Sequence, residues 1–103
     1  MSFEEMSKSF QMAFGLSNAQ NYKAAIELYE DDLLHNPKNI ASLNNIAVAK
    51  INLGISENDK SYLIEAKELL EKSIRIVNEQ KEYKHGFPIA EGNLKWVNEL
   101  LEN

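Results

Sequence analysis

The stretch that decides the fold is NYKAAIELYEDDLLHNPKN, residues 21–39. Four of its apolar side chains recur every three or four residues, the spacing of one face of an α-helix: Ala25, Leu28, Tyr29 and Leu33. Pro37 cannot continue that helix, because proline lacks a backbone N–H and its ring crowds the preceding turn. Asn39 then carries a side chain that commonly caps the next helix. The stretch therefore predicts a helix, a tight turn and a second helix that begins at once.

The same helical spacing appears on both sides of this stretch. The first helix is expected to follow Ser2 and Glu5, whose three-residue separation fits a capping box,. The third helix, which Asn39 caps, is expected to end at Gly54, and a polar loop follows it at residues 55–61. Two helices thus flank the one in residues 21–39.

Two further helices are predicted in the second half of the chain. Asp59 or Ser61 is expected to cap the fourth, and Gly86 is placed to stop it,. Pro88 fits the first turn of a fifth. No segment alternates with the period of two that a half-buried strand requires. The prediction is an all-α fold of five helices in one domain, residues 1–103.

Composition limits the classes of function. The chain has 103 residues, a net charge of −5 and no cysteine, which favours a small cytoplasmic domain without disulfides or thiolate metal sites,. The acidic balance argues against nucleic acid, since binding it depends on neutralising phosphates, and Arg75 is the only arginine,. No apolar run approaches the roughly 20 residues that a membrane span needs. We therefore expect neither a nucleic-acid nor a membrane partner.

The helices form two similar units. Ala13 lies 34 residues before Ala47, and neighbouring positions in the first and third helices match at the same offset. Ala25 and Ala66 are separated by 41 residues, and the second and fourth helices match at that offset, with the seven extra residues in the loop at 55–61. A fixed period of this size is the signature of a repeat architecture. We interpret the chain as two helical hairpins in tandem.

The first unit, about residues 6–39, resembles the tetratricopeptide repeat, a helix-turn-helix family with a 34-residue period. The positions that carry the resemblance are the small and large residues of the two helices, the turn aromatic and the terminal proline: Ala13, Tyr22, Ala25, Tyr29 and Pro37. Ser9 stands where the family usually has a large residue. The resemblance implies that the small residues let helices pack closely and that Tyr29 fills the gap between hairpins.

The second unit, about residues 40–78, departs further from the family. It keeps a matching set of small and apolar positions: Leu43, Ile46, Ala47, Ala66, Leu70 and Ser73. Lys50 replaces a large apolar residue, and Asn78 stands in place of the proline. The helix at about 88–102 is expected to cap the stack, because a single hairpin cannot bury its own apolar face.

The resemblance implies a non-enzymatic interaction module, an adaptor or scaffold that binds a protein or peptide segment in a concave groove lined by the first helix of each unit. The positions that map to this groove combine apolar surface with side-chain amides, which can pair with a peptide backbone: Phe10, Phe14, Ser17, Asn18, Asn44, Asn45, Val48, Ile51 and Asn52. Only Asn45 matches the lysine- and asparagine-rich clamp with which some members hold a C-terminal carboxylate, so that ligand is disfavoured. The alternative is that the apolar members of this set are covered by the terminal helix or by a second copy.

The fifth helix carries an unusually wide apolar arc. One stripe, Ala90, Leu94, Val97 and Leu101, is expected to dock onto the stack. An adjacent stripe, Ile89, Trp96 and Leu100, exceeds what an end cap needs. It raises the alternative of a self-associating homodimer whose apolar surfaces meet between subunits.

Residues that suggest catalysis or metal binding are few. Asp32 and His35 share a face of the second helix, but the metal sites of helical bundles need such pairs on two helices. The acidic run Glu27, Glu30, Asp31 and Asp32 fits a solvated face,. No nucleophile elbow or phosphate-binding loop is present. We expect no enzyme activity, no catalytic residue, no cofactor and no metal, and keep a small helical metal protein or enzyme as a remote alternative.

Overall fold

The computed structural model of the chain describes residues 6–80 and 88–102. These residues form five α-helices and no strand: α1 (Lys8–Asn18), α2 (Tyr22–His35), α3 (Ile40–Ser56), α4 (Lys60–Glu79) and α5 (Pro88–Glu102). The predicted all-α class is confirmed. The predicted capping pair Ser2 and Glu5 and the predicted stop at Gly86 lie outside the described residues.

Short polar side chains begin three of the helices. Asn39 accepts a hydrogen bond from the backbone N–H of Ala41 and so caps α3 as predicted,. Asp59 caps α4 in the same way, which decides between the two predicted candidates, because Ser61 lies inside that helix. Ser7 caps α1. Satisfying the free N–H groups of each first turn fixes where each helix starts.

The prediction that Gly54 ends the third helix is wrong. The helix continues to Ser56, and Gly54 lies inside it as a buried residue. A Cβ atom at Gly54 would come 2.8 Å from Cδ2 of Leu63 and 3.1 Å from the carbonyl oxygen of Asp59. Glycine is therefore favoured here, because a side chain at the close approach of α3 and α4 would force Leu63 to shift,.

Each helix packs on the next one along the chain, and α5 packs on α4 and also contacts α3. The turns between α1, α2, α3 and α4 are only a few residues long, so these consecutive packed helices form antiparallel hairpins,. The four small residues singled out in the sequence are essentially inaccessible to solvent: Ala13, Ala25, Ala47 and Ala66. Small side chains at these positions allow the helix backbones to come close.

Two apolar clusters form the core, and α3 contributes to both. On one side, Ile46, Ala49 and Leu53 pack with Phe10 of α1 and Tyr29 of α2. The other side carries Ala47 and Ile51, which pack with α4 and α5 through a second set: Leu63, Ala66, Leu70, Ala90 and Val97. The stack is thus held together through its central helix.

We predict that Gly54→Ala lowers the free energy of unfolding by about 1 kcal/mol, because overpacking costs more than the gain in helix propensity. Gly15→Ala is the matched control. It is also a helical glycine, but a Cβ there meets nothing within 4 Å. That change should raise the free energy of unfolding by up to about 1 kcal/mol. Urea denaturation measures both, and an equal response at the two glycines would contradict the close approach of α3 and α4.

Candidate functional site

A shallow cavity of about 210 Å³ lies among α1, α2 and α3. Six of the nine predicted groove residues line it: Phe14, Ser17, Asn18, Asn45, Val48 and Asn52. The structure therefore brings together, from helices separated along the chain, most of the set that the resemblance implies. Tyr22 and Tyr29 complete the lining. In the repeat pattern these two tyrosines are packing positions, and their place in the cavity wall was not predicted.

Tyr29 connects the two walls of the cavity. Its side chain is buried and hydrogen-bonds with Asn45 of α3 and Ser17 of α1. Burial raises the pKa of Tyr29 above its ordinary 10.0, and these two hydrogen bonds lower it by a smaller amount,. The hydroxyl therefore stays protonated at neutral pH and acts as a neutral polar group between the walls.

Apolar and amide groups alternate on the rest of the surface. Phe14 is 43% exposed on the α1 side, and Val48 is half-buried on α3. Asn52 lies one turn after Val48, and its Nδ2 donates to the Val48 carbonyl oxygen over 2.9 Å. That bond orients the Asn52 side chain and leaves its amide oxygen as the acceptor that it presents.

The lining carries no acidic or basic side chain among the described residues. Its polar groups are hydroxyls and amides, which offer hydrogen bonds without a net charge. The cavity can therefore hold neutral polar or apolar groups. It offers no counter-ion to a carboxylate or an ammonium group.

The predicted groove position is wrong for three residues, because their side chains are buried in the core. Phe10 is 3% exposed, and its ring packs edge-on against Tyr29 with centroids 5.3 Å apart. Ile51 is inaccessible and belongs to the cluster shared with α4 and α5. Asn44 is buried and accepts a hydrogen bond from Nδ2 of Asn93 in α5 over 3.1 Å.

These burials also bear on the alternative that the apolar groove residues are covered. Ile51 is covered in the cluster that α4 and the terminal helix form with α3, and Phe10 packs against Tyr29 of α2. Within residues 6–80 and 88–102, the 210 Å³ cavity is lined by α1, α2 and α3, and α5 takes no part in its walls. The covering is therefore confined to particular residues and does not extend to the whole set.

A second polar cluster surrounds Asp32, which is 2% exposed. Its carboxylate accepts hydrogen bonds from Oγ of Ser7 at 2.6 Å, Oγ of Ser42 at 2.7 Å, Nδ2 of Asn39 at 2.8 Å and Nδ2 of Asn36 at 3.3 Å. Burial by itself raises the pKa of Asp32, but the four hydrogen bonds outweigh it and hold the pKa below its ordinary 3.8,. The cluster joins the start of α1, the end of α2 and the start of α3.

The prediction that Asp32 belongs to a solvated acidic face is therefore wrong, whereas Glu27, Glu30 and Asp31 are exposed. Helical spacing places Asp32 on the buried face, three residues after Tyr29 and seven after Ala25, whereas Asp31 lies about 100° away around the helix,. The carboxylate chemistry that the two residues share is what favoured a solvated position for both. The polar residues that surround Asp32 come from three different segments. Asn36, Asn39 and Ser42 lie close to Pro37 in the sequence, whereas Ser7 comes from the start of α1 and gave no local signal.

Asp32 and His35 both line a larger cavity of about 630 Å³ beside the α2–α3 turn. His35 is exposed, and its Nδ1 lies 3.3 Å from the backbone oxygen of Asp31. The carboxylate of Asp32 already accepts hydrogen bonds from four neutral donors. Within residues 6–80 and 88–102, no group of three or more His, Cys, Asp or Glu residues is arranged to hold a metal ion.

The second apolar stripe of α5, formed by Ile89, Trp96 and Leu100, is only partly exposed to solvent. Ile89 is 62% exposed and Trp96 is 36% exposed. Leu100 is half-buried and packs against the cluster formed by α3, α4 and α5. The docking stripe is as predicted, since Ala90 and Val97 are fully buried.

The apolar content of the helices is distributed over short faces. No helix in the described part of the chain combines the length and the hydropathy needed to cross a membrane.

We predict that Asp32→Asn lowers the free energy of unfolding at pH 7 by about 1–3 kcal/mol, because the buried donors lose a charged acceptor. The pKa of Asp32 is lowered in the folded state, so its stabilisation is present above 3.8 and is lost as the pH falls through the folded-state pKa,. The difference between wild type and variant should therefore shrink below about pH 4. Chemical denaturation over a pH series measures it.

The matched control is Glu30→Gln, which neutralises an exposed carboxylate on the same helix. This change should alter the stability by less than about 0.5 kcal/mol. If Asp32→Asn behaves like Glu30→Gln at pH 7, the four hydrogen bonds do not hold the three segments together.

Comparison with known proteins gives no relative from which a role could be carried over. No protein-family model matches the chain, and no curated protein matches it.

Proposed function

We propose that the chain is a non-enzymatic interaction module, an adaptor or scaffold that binds a segment of another protein in the groove between α1 and α3. The observation that carries this is the cavity that Phe14, Ser17, Asn18, Asn45, Val48 and Asn52 line together. Protein-binding sites combine apolar contact surface with oriented polar groups. Both kinds of group are present here on rigid helices.

Membership of the tetratricopeptide repeat family is part of the same proposal. Its support is the burial of small residues at matching positions of the two hairpins, Ala13 with Ala47 and Ala25 with Ala66. Lys50 remains a departure from the family, and its Nζ lies 2.8 Å from Oε2 of Glu65. The ion pair gives this residue a local role in the second unit.

A binding role is favoured over catalysis by the chemistry of the cavity. General acid–base or nucleophilic catalysis needs a group whose pKa lies near the working pH, or a nucleophile activated by a base. The lining among the described residues offers hydroxyls and amides, and the raised pKa of Tyr29 keeps that phenol protonated. A cytoplasmic location belongs to the proposal and is supported by the absence of cysteine,.

A second candidate function is self-association through α5. The observation that favours it is the exposure of Ile89 and Trp96 on one helix. Against it, Leu100 packs within the chain, so the free part of the stripe is small. A homodimer formed there would leave the groove between α1 and α3 available.

The groove is tested by site-specific photocrosslinking. With p-benzoylphenylalanine at position 48, we expect a crosslink to a partner protein in cells, because Val48 lies in the wall of the cavity. Adding Asn45→Ala and Asn52→Ala should reduce the yield about tenfold, as loss of two polar contacts predicts. The same probe at position 34 is the matched control. Leu34 is apolar and 79% exposed but lies outside this cavity.

Circular dichroism of each variant establishes that the helices are retained. Crosslinking that is equal at positions 34 and 48, or that survives both asparagine changes, would place the partner elsewhere and overturn the groove.

For self-association, we predict that Trp96→Glu converts a dimer to a folded monomer, because a charge placed in an apolar contact costs a few kcal/mol. Ile89→Glu is a second variant with less risk to the fold, since that side chain is more exposed. Light scattering gives the mass and circular dichroism the helical content. A wild-type chain that is monomeric at high concentration, or variants that unfold without a change in mass, would remove this second candidate.

A further inference from the structure

We propose that the ligand of the groove is an extended, uncharged segment of another protein, with one large apolar or aromatic side chain seated in the cavity. This ligand class rests on the proposed function, since it specifies what the groove binds. It is carried by three properties of the cavity: its lack of charge, the position of its amides and its size.

The lack of charged side chains in the cavity wall argues against charged ligands. The described lining contains no lysine, arginine, histidine, aspartate or glutamate. A carboxylate or ammonium group that enters such a site loses its hydration and gains no counter-ion, which is strongly unfavourable. Acidic tails and basic segments are therefore poor ligands, whereas a neutral segment gives up little on entering.

The amides favour a peptide backbone in an extended form. Asn45 and Asn52 are two helical turns apart on α3, about 10 Å along its axis, and Asn18 faces them from α1. A side-chain amide has donors and an acceptor, as a peptide group does. Beyond its bond to the Val48 carbonyl oxygen, Asn52 keeps its amide oxygen as an acceptor, and the amide of Asn45 keeps part of its capacity beyond its bond to Tyr29. A helical ligand would use its own N–H and C=O groups internally. An extended segment leaves them available, and about three of its residues span the distance between the two asparagines.

Size limits what the cavity encloses. Pockets that take whole small molecules are commonly about 300–1,000 Å³. The cavity here is about 210 Å³, which suits a single large side chain. Val48 and Tyr22 offer apolar surface to such a side chain, and the half-buried Ser17 adds a neutral hydroxyl to the wall.

The test uses a phage-displayed library of random twelve-residue peptides selected on the wild-type chain. Selection is repeated on Asn18→Trp, which fills the cavity from an exposed position at the end of α1. The matched control is Asn78→Trp, at an exposed position in the last turn of α4 and outside the cavity. Enriched peptides are then synthesised with acetylated and amidated ends, and their affinity is measured by fluorescence anisotropy.

We expect the enriched sequences to share an uncharged stretch with one large apolar or aromatic residue. Asn18→Trp should weaken their binding at least about tenfold and Asn78→Trp should leave it unchanged. Asn52→Asp, which adds a charge to the wall and also removes the donor to the Val48 carbonyl oxygen, should alter the preference toward peptides that carry a lysine. Raising the salt from roughly 50 to 500 mM should change the wild-type affinity less than about twofold, because screening acts on charged contacts.

Two failures are distinguishable. Enrichment of acidic or basic sequences whose affinity falls steeply with salt, and is still lost in Asn18→Trp, would overturn the ligand class and leave the groove as the binding site. Binding that Asn18→Trp does not weaken, or no enrichment on the wild type beyond that on Asn18→Trp, would overturn both the ligand class and the proposed function.

Discussion

The packing of α3 on two of its faces is the constraint on which the rest of the structure depends. This helix packs against α1 and α2 with one face and against α4 and α5 with another. Lys50 is its only charged residue, because little of its circumference is left for water. Each hairpin alone would leave one of these faces exposed, so the two hairpins and the terminal helix are stable only as a stack. The close approach at Gly54 is one consequence, since α4 must lie against α3 immediately after the turn.

The Asp32 cluster solves a different problem at the junction between the hairpins. The turn around Pro37 brings polar groups from the end of α2 and the start of α3 into a place where water has little access. One carboxylate with four neutral donors satisfies them together, and its depressed pKa reports that the ionised form is the stabilised one,. At the matching position of the second hairpin, Ser73 is buried and donates to the backbone oxygen of Leu69. Equivalent positions of the two units thus use different chemistry.

The uncharged surface of the candidate groove follows from the side chains that the same central helix, α3, contributes to it. Of the few α3 side chains that are not core, Asn45, Val48 and Asn52 face α1 across the cavity. Amides and a small apolar group suit a surface that is partly enclosed, since they need no counter-ion and keep their hydrogen bonds with neighbours such as Tyr29,. That local requirement gives the candidate site its neutral surface. Neutrality in turn is the basis for the ligand class that we propose.

The sequence by itself determined the number and type of the helices, their approximate ends and the two-unit organisation, because helical periodicity, caps and proline act within a few residues. It also grouped six residues that line one cavity in the structure, Phe14, Ser17, Asn18, Asn45, Val48 and Asn52. Only the tertiary structure decided that Phe10, Asn44 and Ile51 are core, because their burial depends on how α2, α4 and α5 dock. Helical spacing gives the buried direction of Asp32, but only the tertiary structure shows the four donors from other segments that satisfy a carboxylate there. Which side of a helix meets another is set by the packing of the whole stack, and local sequence carries that information only in part.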